Sequence, residues 1–165
     1  MKKLILIALI LAPMTVFAQK FGHVDSYAIL SAMPEVKTVQ TEMEALRTKY
    51  QQELKTMQDE IERKAQALQS QKDSLPQNIL QRRSQEIQDL YDRYQTSMES
   101  FQQELQKTEA EKMQPIQQKV IAAIKEIGEQ GGYVYIMDLS AGIPYVSNTL
   151  STDISTELKA KLGIK

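Results

Sequence analysis

Residues Glu35 to Ser70 read EVKTVQTEMEALRTKYQQELKTMQDEIERKAQALQS, and Gln71-Lys-Asp-Ser-Leu-Pro76 follows directly. In the first stretch the apolar residues Val36, Val39, Met43, Leu46, Tyr50, Leu54, Met57, Ile61, Ala65 and Leu68 recur at spacings of three and four. That period marks one face of a helix, and the stripe is too narrow for the broad buried face of a globular core helix. It is a coiled-coil seam. Its phase slips between Leu46 and Leu54, a stutter that locally relaxes the supercoil. Beyond Pro76 the pattern resumes with Leu80, Ile87, Leu90, Tyr94, Met98, Phe101 and Leu105, then Met113, Ile116, Val120, Ile124 and Ile127. Asp73 or Ser74 can cap this second helix, and Pro76 suits its first turn. The two helices are therefore expected to fold back as an antiparallel hairpin with its tip near residues 70–78. At 1.5 Å rise per residue, an arm of about 38 residues is about 57 Å long. Pro115 should kink or restart the returning helix, because it has no N–H and its ring crowds the preceding turn. Asp59/Arg63, Glu60/Lys64 and Asp89/Arg93 are spaced for small i,i+4 stabilising pairs.

Outside residues 35–127 the composition changes. That stretch holds no Gly and two of the five Pro, while all six glycines lie outside it. Phe21-Gly-His-Val24 is a short strand candidate, and Asp25 or Ser26 can cap a brief helix that Pro34 ends. After Gly131-Gly132, Tyr133 to Met137 is a β-type run, Asp138 to Gly142 a turn, and Ile143 to Ser147 a second run. Asp153 or Ser155 caps a last helix, Ile154 to Leu162, stopped by Gly163. The strands from the two ends must meet, because a lone two-stranded hairpin is marginal in water. Residues 19–34 and 128–165 then form one small β-body, and 35–127 the arm. A body that thin needs staples or oligomerisation. The chain has no Cys and one His, so neither a disulfide nor a His- or Cys-based metal site is available to it, and oligomerisation is the route left.

The first 18 residues read as a leader. Met1-Lys2-Lys3 is a basic start, Leu4 to Leu11 an apolar run, and Val16-Phe17-Ala18 supplies a cleavage site after Ala18. The run is about half the length a bilayer span needs, so the mature chain is expected to be exported. It then carries 18 basic against 21 acidic residues, net −3, which argues against a nucleic-acid binder. No Gly-rich phosphate loop and no nucleophile–base pairing is visible, so there is no catalytic residue to name, no cofactor is implied, and the enzyme reading is rejected.

Taken together, these parts resemble the Skp/OmpH family of periplasmic chaperones. The likeness runs through Phe21-Gly-His-Val-Asp-Ser-Tyr27, the Gln- and charge-rich hairpin, and Met113-Gln-Pro-Ile-Gln-Gln-Lys-Val120. It rests most on Gly132-Tyr-Val-Tyr-Ile-Met-Asp138, followed by Gly142-Ile-Pro-Tyr145 and by Asp153-Ile-Ser155 to Leu162-Gly163. The resemblance implies an α+β, mostly α fold: a small β-body that trimerises and carries three helical hairpins as tentacles around a cavity. It further implies a periplasmic homotrimer that holds unfolded outer-membrane proteins without ATP. Val24, Tyr135, Met137 and Val146 are carried over as body and trimer-contact positions. One departure is charge: the resemblance points to a strongly basic protein, whereas this mature chain is net acidic, which tells against strong attraction to anionic lipid.

The charge is nonetheless uneven. Residues 63–83 hold Arg63, Lys64, Lys72, Arg82 and Arg83 against Asp73 alone, net +4, and residues 86–111 hold seven acids against Arg93 and Lys107, net −5. The hairpin would set the basic cluster at its tip, where it can grip acidic clients or make weak contact with an anionic membrane surface. A solvated helix face has the same composition. Of the six mature methionines, Met43, Met57, Met98 and Met113 fall on the seam, which favours packing over an adaptable client surface. Tyr91 stands one step off the stripe, positioned to face a cavity. The competing reading is an exported coiled-coil spacer or envelope tether; the β-body built from both chain ends is what separates it from a closed, tentacled particle.

Overall fold

The computed structural model describes residues 19–164; the leader and its cleavage site lie outside the described residues. The fold is mostly helical, with two long helices and a small strand body. It divides into two compact units, residues 19–27 with Ala122–Gly163 and residues Ala28–Ile121.

The first unit is built on three strands, β1 (Lys20–Val24), β2 (Tyr133–Asp138) and β3 (Ser151–Asp153). They lie in the order β2-β1-β3, and both outer strands run parallel to β1. This corrects the expected hairpin of two consecutive C-terminal runs: β2 and β3 flank the N-terminal strand instead of pairing with each other. Parallel neighbours need long crossovers, and the entire chain between Val24 and Tyr133 serves as one of them. Ile143 to Ser147 is not a strand. Pro144 cannot donate to a ladder, and the Ser147 hydroxyl closes a turn by accepting from the N–H groups of Thr149 and Leu150 at 3.4 and 3.2 Å. The third strand starts only at Ser151.

Gly22 sits at the centre of the sheet, where a Cβ would lie 3.0 Å from Ile136 and 3.1 Å from the Tyr133 ring. That close approach explains a glycine inside a strand. Val24, Ala123, Ile127, Ile154 and Leu158 form the buried interior of this unit. Full burial of a side chain such as Leu158 contributes about 2 kcal/mol. The last helix, α4 in chain order, runs Ser155–Leu162. Asp153 accepts the Ser155 N–H at 2.8 Å, and Gly163 ends the helix by donating its N–H to Ala160.

Three helices precede α4. A short α1 (Ser26–Ala32) leads to α2 (Pro34–Gln71), and α3 (Gln77–Gly131) returns. Pro34 both stops α1 and opens α2, where its missing N–H is one of the orphan donors anyway. At the turn, the Ser74 hydroxyl does not cap the following helix. It reaches back 3.0 Å to the Gln71 carbonyl, while the Pro76 carbonyl accepts from Ile79 and Leu80 at 2.9 and 3.1 Å. Gly132, at φ 66°, adopts the left-handed conformation that ends α3. Pro115 lies within α3, which neither stops nor restarts there.

Candidate functional site

The arm's geometry follows from which side chains reach across the hairpin. In the second unit Glu35 meets Lys119, Glu42 meets Lys112 at 2.7 Å, Arg47 meets Glu109 at 3.9 Å, and Lys64 meets Glu86. Nearer the turn, Arg83 donates to the Gln71 side chain at 2.7 Å. Residue numbers rise on one helix as they fall on the other, the signature of an antiparallel pair. The sign also reverses along the arm: α2 supplies the acid in the first two pairs and the base in the next two. A parallel or slipped pairing would set like charges together.

A cross-helix bond displaces one of the pairs the i,i+4 spacing suggests, and bonds within each helix displace the other two. Lys64 goes to Glu86 rather than Glu60, and Asp59 takes Lys55 at 3.3 Å rather than Arg63. Asp89 accepts instead from Gln85 at 2.8 Å. The Lys119 ammonium, by its hydrogen bond, holds the Glu35 carboxyl below the usual range, and Lys64 does the same for Glu86.

Burial along the seam is graded. Val36, Val39, Met43, Ile116 and Val120 are buried, as are Tyr50 and Ile61. Leu54, Met57, Leu68, Leu80, Ile87, Leu90, Tyr94 and Leu105 are only half-buried, and Met98 and Tyr91 are 45% and 47% exposed. Two helices alone cannot cover their apolar stripes, so the far half of the arm presents apolar side chains to solvent. Midway, Tyr50 and Phe101 stack with ring centroids 4.1 Å apart. Burial pushes the Tyr50 hydroxyl pKa up, and its hydrogen bond with Glu104 adds to the effect.

Among the five basic residues of the tip, Lys64 and Arg83 are half-buried and engaged with Glu86 and Gln71. Arg63, Lys72 and Arg82 are exposed and in no ion pair among the described residues. The body positions separate as well. Val24 is buried, Val146 is half-buried, and Tyr135 and Met137 are exposed on β2. Val134, Tyr145 and Leu150 add further exposed apolar surface to the same unit. Phe21 and Tyr135 pack with centroids 5.1 Å apart, and the Lys20 ammonium sits 4.0 Å above the Tyr133 ring.

Two hydrogen-bonded clusters have no counterpart in the sequence reading. Asp138 accepts the Ser26 N–H at 3.1 Å and the Ser140 N–H at 3.0 Å through Oδ1, and the Ser26 hydroxyl through Oδ2. Burial pushes the Asp138 carboxyl up, but these bonds from Ser26 and Ser140 outweigh it and leave the group below its usual range. His23, in the central strand, shares a 2.8 Å hydrogen bond with Ser151. Both clusters tie residues more than a hundred positions apart, which a local pattern does not reveal.

Among the described residues, no group of three or more His, Asp or Glu side chains is placed to hold a metal ion, and no helix is long and apolar enough to cross a membrane. The chain matches the model of the family described as outer membrane protein (OmpH-like) over residues 20–162. It is 24% identical over 124 residues to the chaperone protein Skp of Vibrio cholerae, covering 75% of this chain and 73% of that one. Its fold matches the crystal structure of an OmpH-like outer membrane chaperone of Caulobacter crescentus with a TM-score of 0.76, at 17% identity, over 87% of this chain and 83% of that one.

Proposed function

This chain belongs to the OmpH-like family of periplasmic chaperones, a non-enzymatic family, and we propose that it is an ATP-independent holdase for unfolded outer-membrane proteins. The observation that carries this reading is the uneven seam of the arm: tightly closed by Val36, Val39, Met43, Ile116 and Val120, and elsewhere, Tyr50 and Ile61 apart, mostly half-buried, with Tyr91 and Met98 exposed. Unfolded barrel strands alternate apolar and polar residues and expose unpaired backbone, so they aggregate unless kept apart. Shallow apolar positions along an arm bind such chains through many weak contacts, with little sequence preference and easy release.

The working particle is a homotrimer of mature chains exported after cleavage behind Ala18. Support comes from the apolar side chains exposed on a small body, Val134, Tyr135, Met137, Tyr145 and Leu150, since a body that thin needs staples or oligomerisation. The basic tip adds weak contact with anionic membrane surfaces through Arg63, Lys72 and Arg82.

Native mass spectrometry of residues 19–165, with a urea-unfolded outer-membrane barrel protein diluted in, tests the reading. A trimer carrying one client is expected. A trimer that ignores the client would favour the spacer or tether, and a monomer or dimer would remove the trimeric particle.

A further inference from the structure

Charge on the arm is banded. Three bases face five acids over residues 43–62 and two face seven over 86–111, so the shaft is net −7 while the tip is +4. The shaft's own pairs, Arg47 with Glu44 and Glu109, Lys55 with Asp59 and Lys107 with Glu111, leave Glu60, Glu62, Asp89, Asp92 and Glu99 outside any ion pair among the described residues.

Within this band the two helices open into a cleft of about 210 Å³ lined by Gln58, Ile61, Glu62, Tyr91 and Tyr94. Small-molecule pockets begin at roughly 300 Å³, so the space suits one inserted side chain rather than a free ligand. Its floor is apolar, Tyr91 lies exposed at its edge, and Glu62 supplies a carboxylate with no cation in the lining. The next cleft along the arm differs: Met57 and Phe101 form its floor, and two cations, Lys49 and Arg93, line it with one carboxylate, Glu53. At about 100° per residue, Gln58 and Glu62 stand on one side of the seam position Ile61, and Lys49, Glu53 and Thr56 on the other. The two clefts therefore differ in charge, one acidic without a cation and the other mixed with two, and the Tyr91 flank is the one that welcomes positive charge.

We propose that the Tyr91 flank of the shaft docks cationic, aromatic-bearing segments of unfolded chains, with an apolar or aromatic side chain in the cleft and a neighbouring Lys or Arg against Glu62 and the Tyr91 ring. This rests on the holdase reading and names the class of segment it prefers. Charge complementarity selects the occupant. The tip does not cancel it: Lys64, two residues past Glu62, is paired with Glu86, Arg63 stands about 160° round the helix from the seam position Ile61, and Arg83 lies about 12 Å from Tyr91 along the helix, beyond the roughly 8 Å screening length at physiological salt. An anionic segment is repelled from the shaft and directed to the tip instead.

The experiment uses residues 19–165 and two dye-labelled unstructured peptides with identical tyrosine content, one carrying lysines and the other glutamates at the same positions. Fluorescence anisotropy should show the lysine peptide binding about tenfold more tightly at low salt, with the gap narrowing toward 0.15 M. Tyr91→Ser and Glu62→Gln should each weaken it about two- to fivefold, Tyr91→Phe should retain it, and Lys37→Gln should leave it unchanged. Equal affinities, a preference for the glutamate peptide, or indifference to both Tyr91→Ser and Glu62→Gln would overturn the inference. Aggregation of a urea-unfolded barrel protein, followed in parallel, separates the two readings. Suppression without charge preference removes only this docking surface. Absence of suppression removes the holdase reading, and the peptide titration still decides the surface.

Discussion

Asp138 holds Ser26 by both of its carboxylate oxygens, although the two residues stand 112 positions apart. The bond fastens the start of α1 to the end of β2, in a body whose strands contribute only five, six and three residues. Asp138 thereby does from a distance what a local N-cap side chain does for an ordinary helix.

Replacing Asp138 with Ala is expected to lower stability by about 1–2 kcal/mol, the usual cost of losing a cap. Asp138→Asn keeps one acceptor oxygen and should lose less. Thermal unfolding of the mature chain checks this, with a decrease in Tm of about 3 °C or more for the Ala variant. An Ala variant that melts like the parent would show that the cluster is dispensable.

Acid should weaken both units. Glu35 and Glu86 in the arm and Glu126, Asp138 and Asp153 in the body all have folded-state pKa values below their ordinary ones, through Lys119, Lys64, Lys161, Ser26 with Ser140, and Ser155 respectively. A depressed carboxyl binds protons more readily in the unfolded chain. Its stabilisation is therefore complete above the ordinary carboxyl range near pH 4 and is lost as pH falls through the lower folded values. Urea midpoints should change little with these groups between pH 6 and 8 and drop below about pH 4. A midpoint that holds steady through that acid range would contradict the assignment.

How much of this was open to reading in the sequence depends on the range of the interactions. The hairpin was legible because its signals are local: the 3/4 stripe from Val36 to Leu68, the resumption at Leu80, and Asp73-Ser-Leu-Pro76 between them. The sheet was legible only in outline. Tyr133 to Met137 has the composition of a strand, but Ser151-Thr-Asp153 has no period to detect and is a strand because β1 offers it a ladder. Ile143 to Ser147 carries a better β-composition and yet forms none, because Pro144 cannot donate and Ser147 closes a turn. The ion pairs show the same limit: Glu60 is adjacent to Lys64 by spacing, whereas Glu86 wins by geometry across the hairpin. Of the tip residues, the composition gave the cluster, but not the division between engaged Lys64 and Arg83 and the free Arg63, Lys72 and Arg82.

The stacked pair in mid-arm should be its strongest single tie. Phe101→Ala removes the ring that lies on Tyr50 and is expected to cost about 2–3 kcal/mol, below the range for a fully buried Phe because this one is half-buried. Phe101→Leu should cost less. Amide hydrogen exchange is the suitable measurement, since faster exchange should appear in α2 near Tyr50 as well as in α3. An effect confined to α3 would mean that the stack does not couple the helices.

The free charges at the tip make a separate prediction for lipid. Each Lys or Arg near an anionic surface contributes roughly 1 kcal/mol, so Lys72→Gln with Arg82→Gln should weaken sedimentation with phosphatidylglycerol vesicles by about tenfold or more at low salt. Arg83→Gln alone should do less, because Arg83 is already engaged with Gln71. Vesicle binding that is unaffected by the double substitution would return the tip to the status of a solvated face.

Pro115 is the clearest conflict between local preference and the fold. It cannot donate to the Glu111 carbonyl, and a proline within a helix is about 3 kcal/mol less favourable than alanine. Yet α3 runs through it, held on the following turns by Ile116 and Val120, which are 8% and 2% exposed. Packing overrides propensity here, and what remains is a point where the backbone ladder is weakest. Pro115→Ala should restore the missing hydrogen bond, raise stability, and slow amide exchange over residues 111–119. If loosening at this point lets the arms adapt to clients of different size, the same variant should protect large unfolded barrels less well than small ones. Unchanged exchange and an unchanged range of protected clients would show that the proline is merely tolerated and that arm adaptability arises elsewhere.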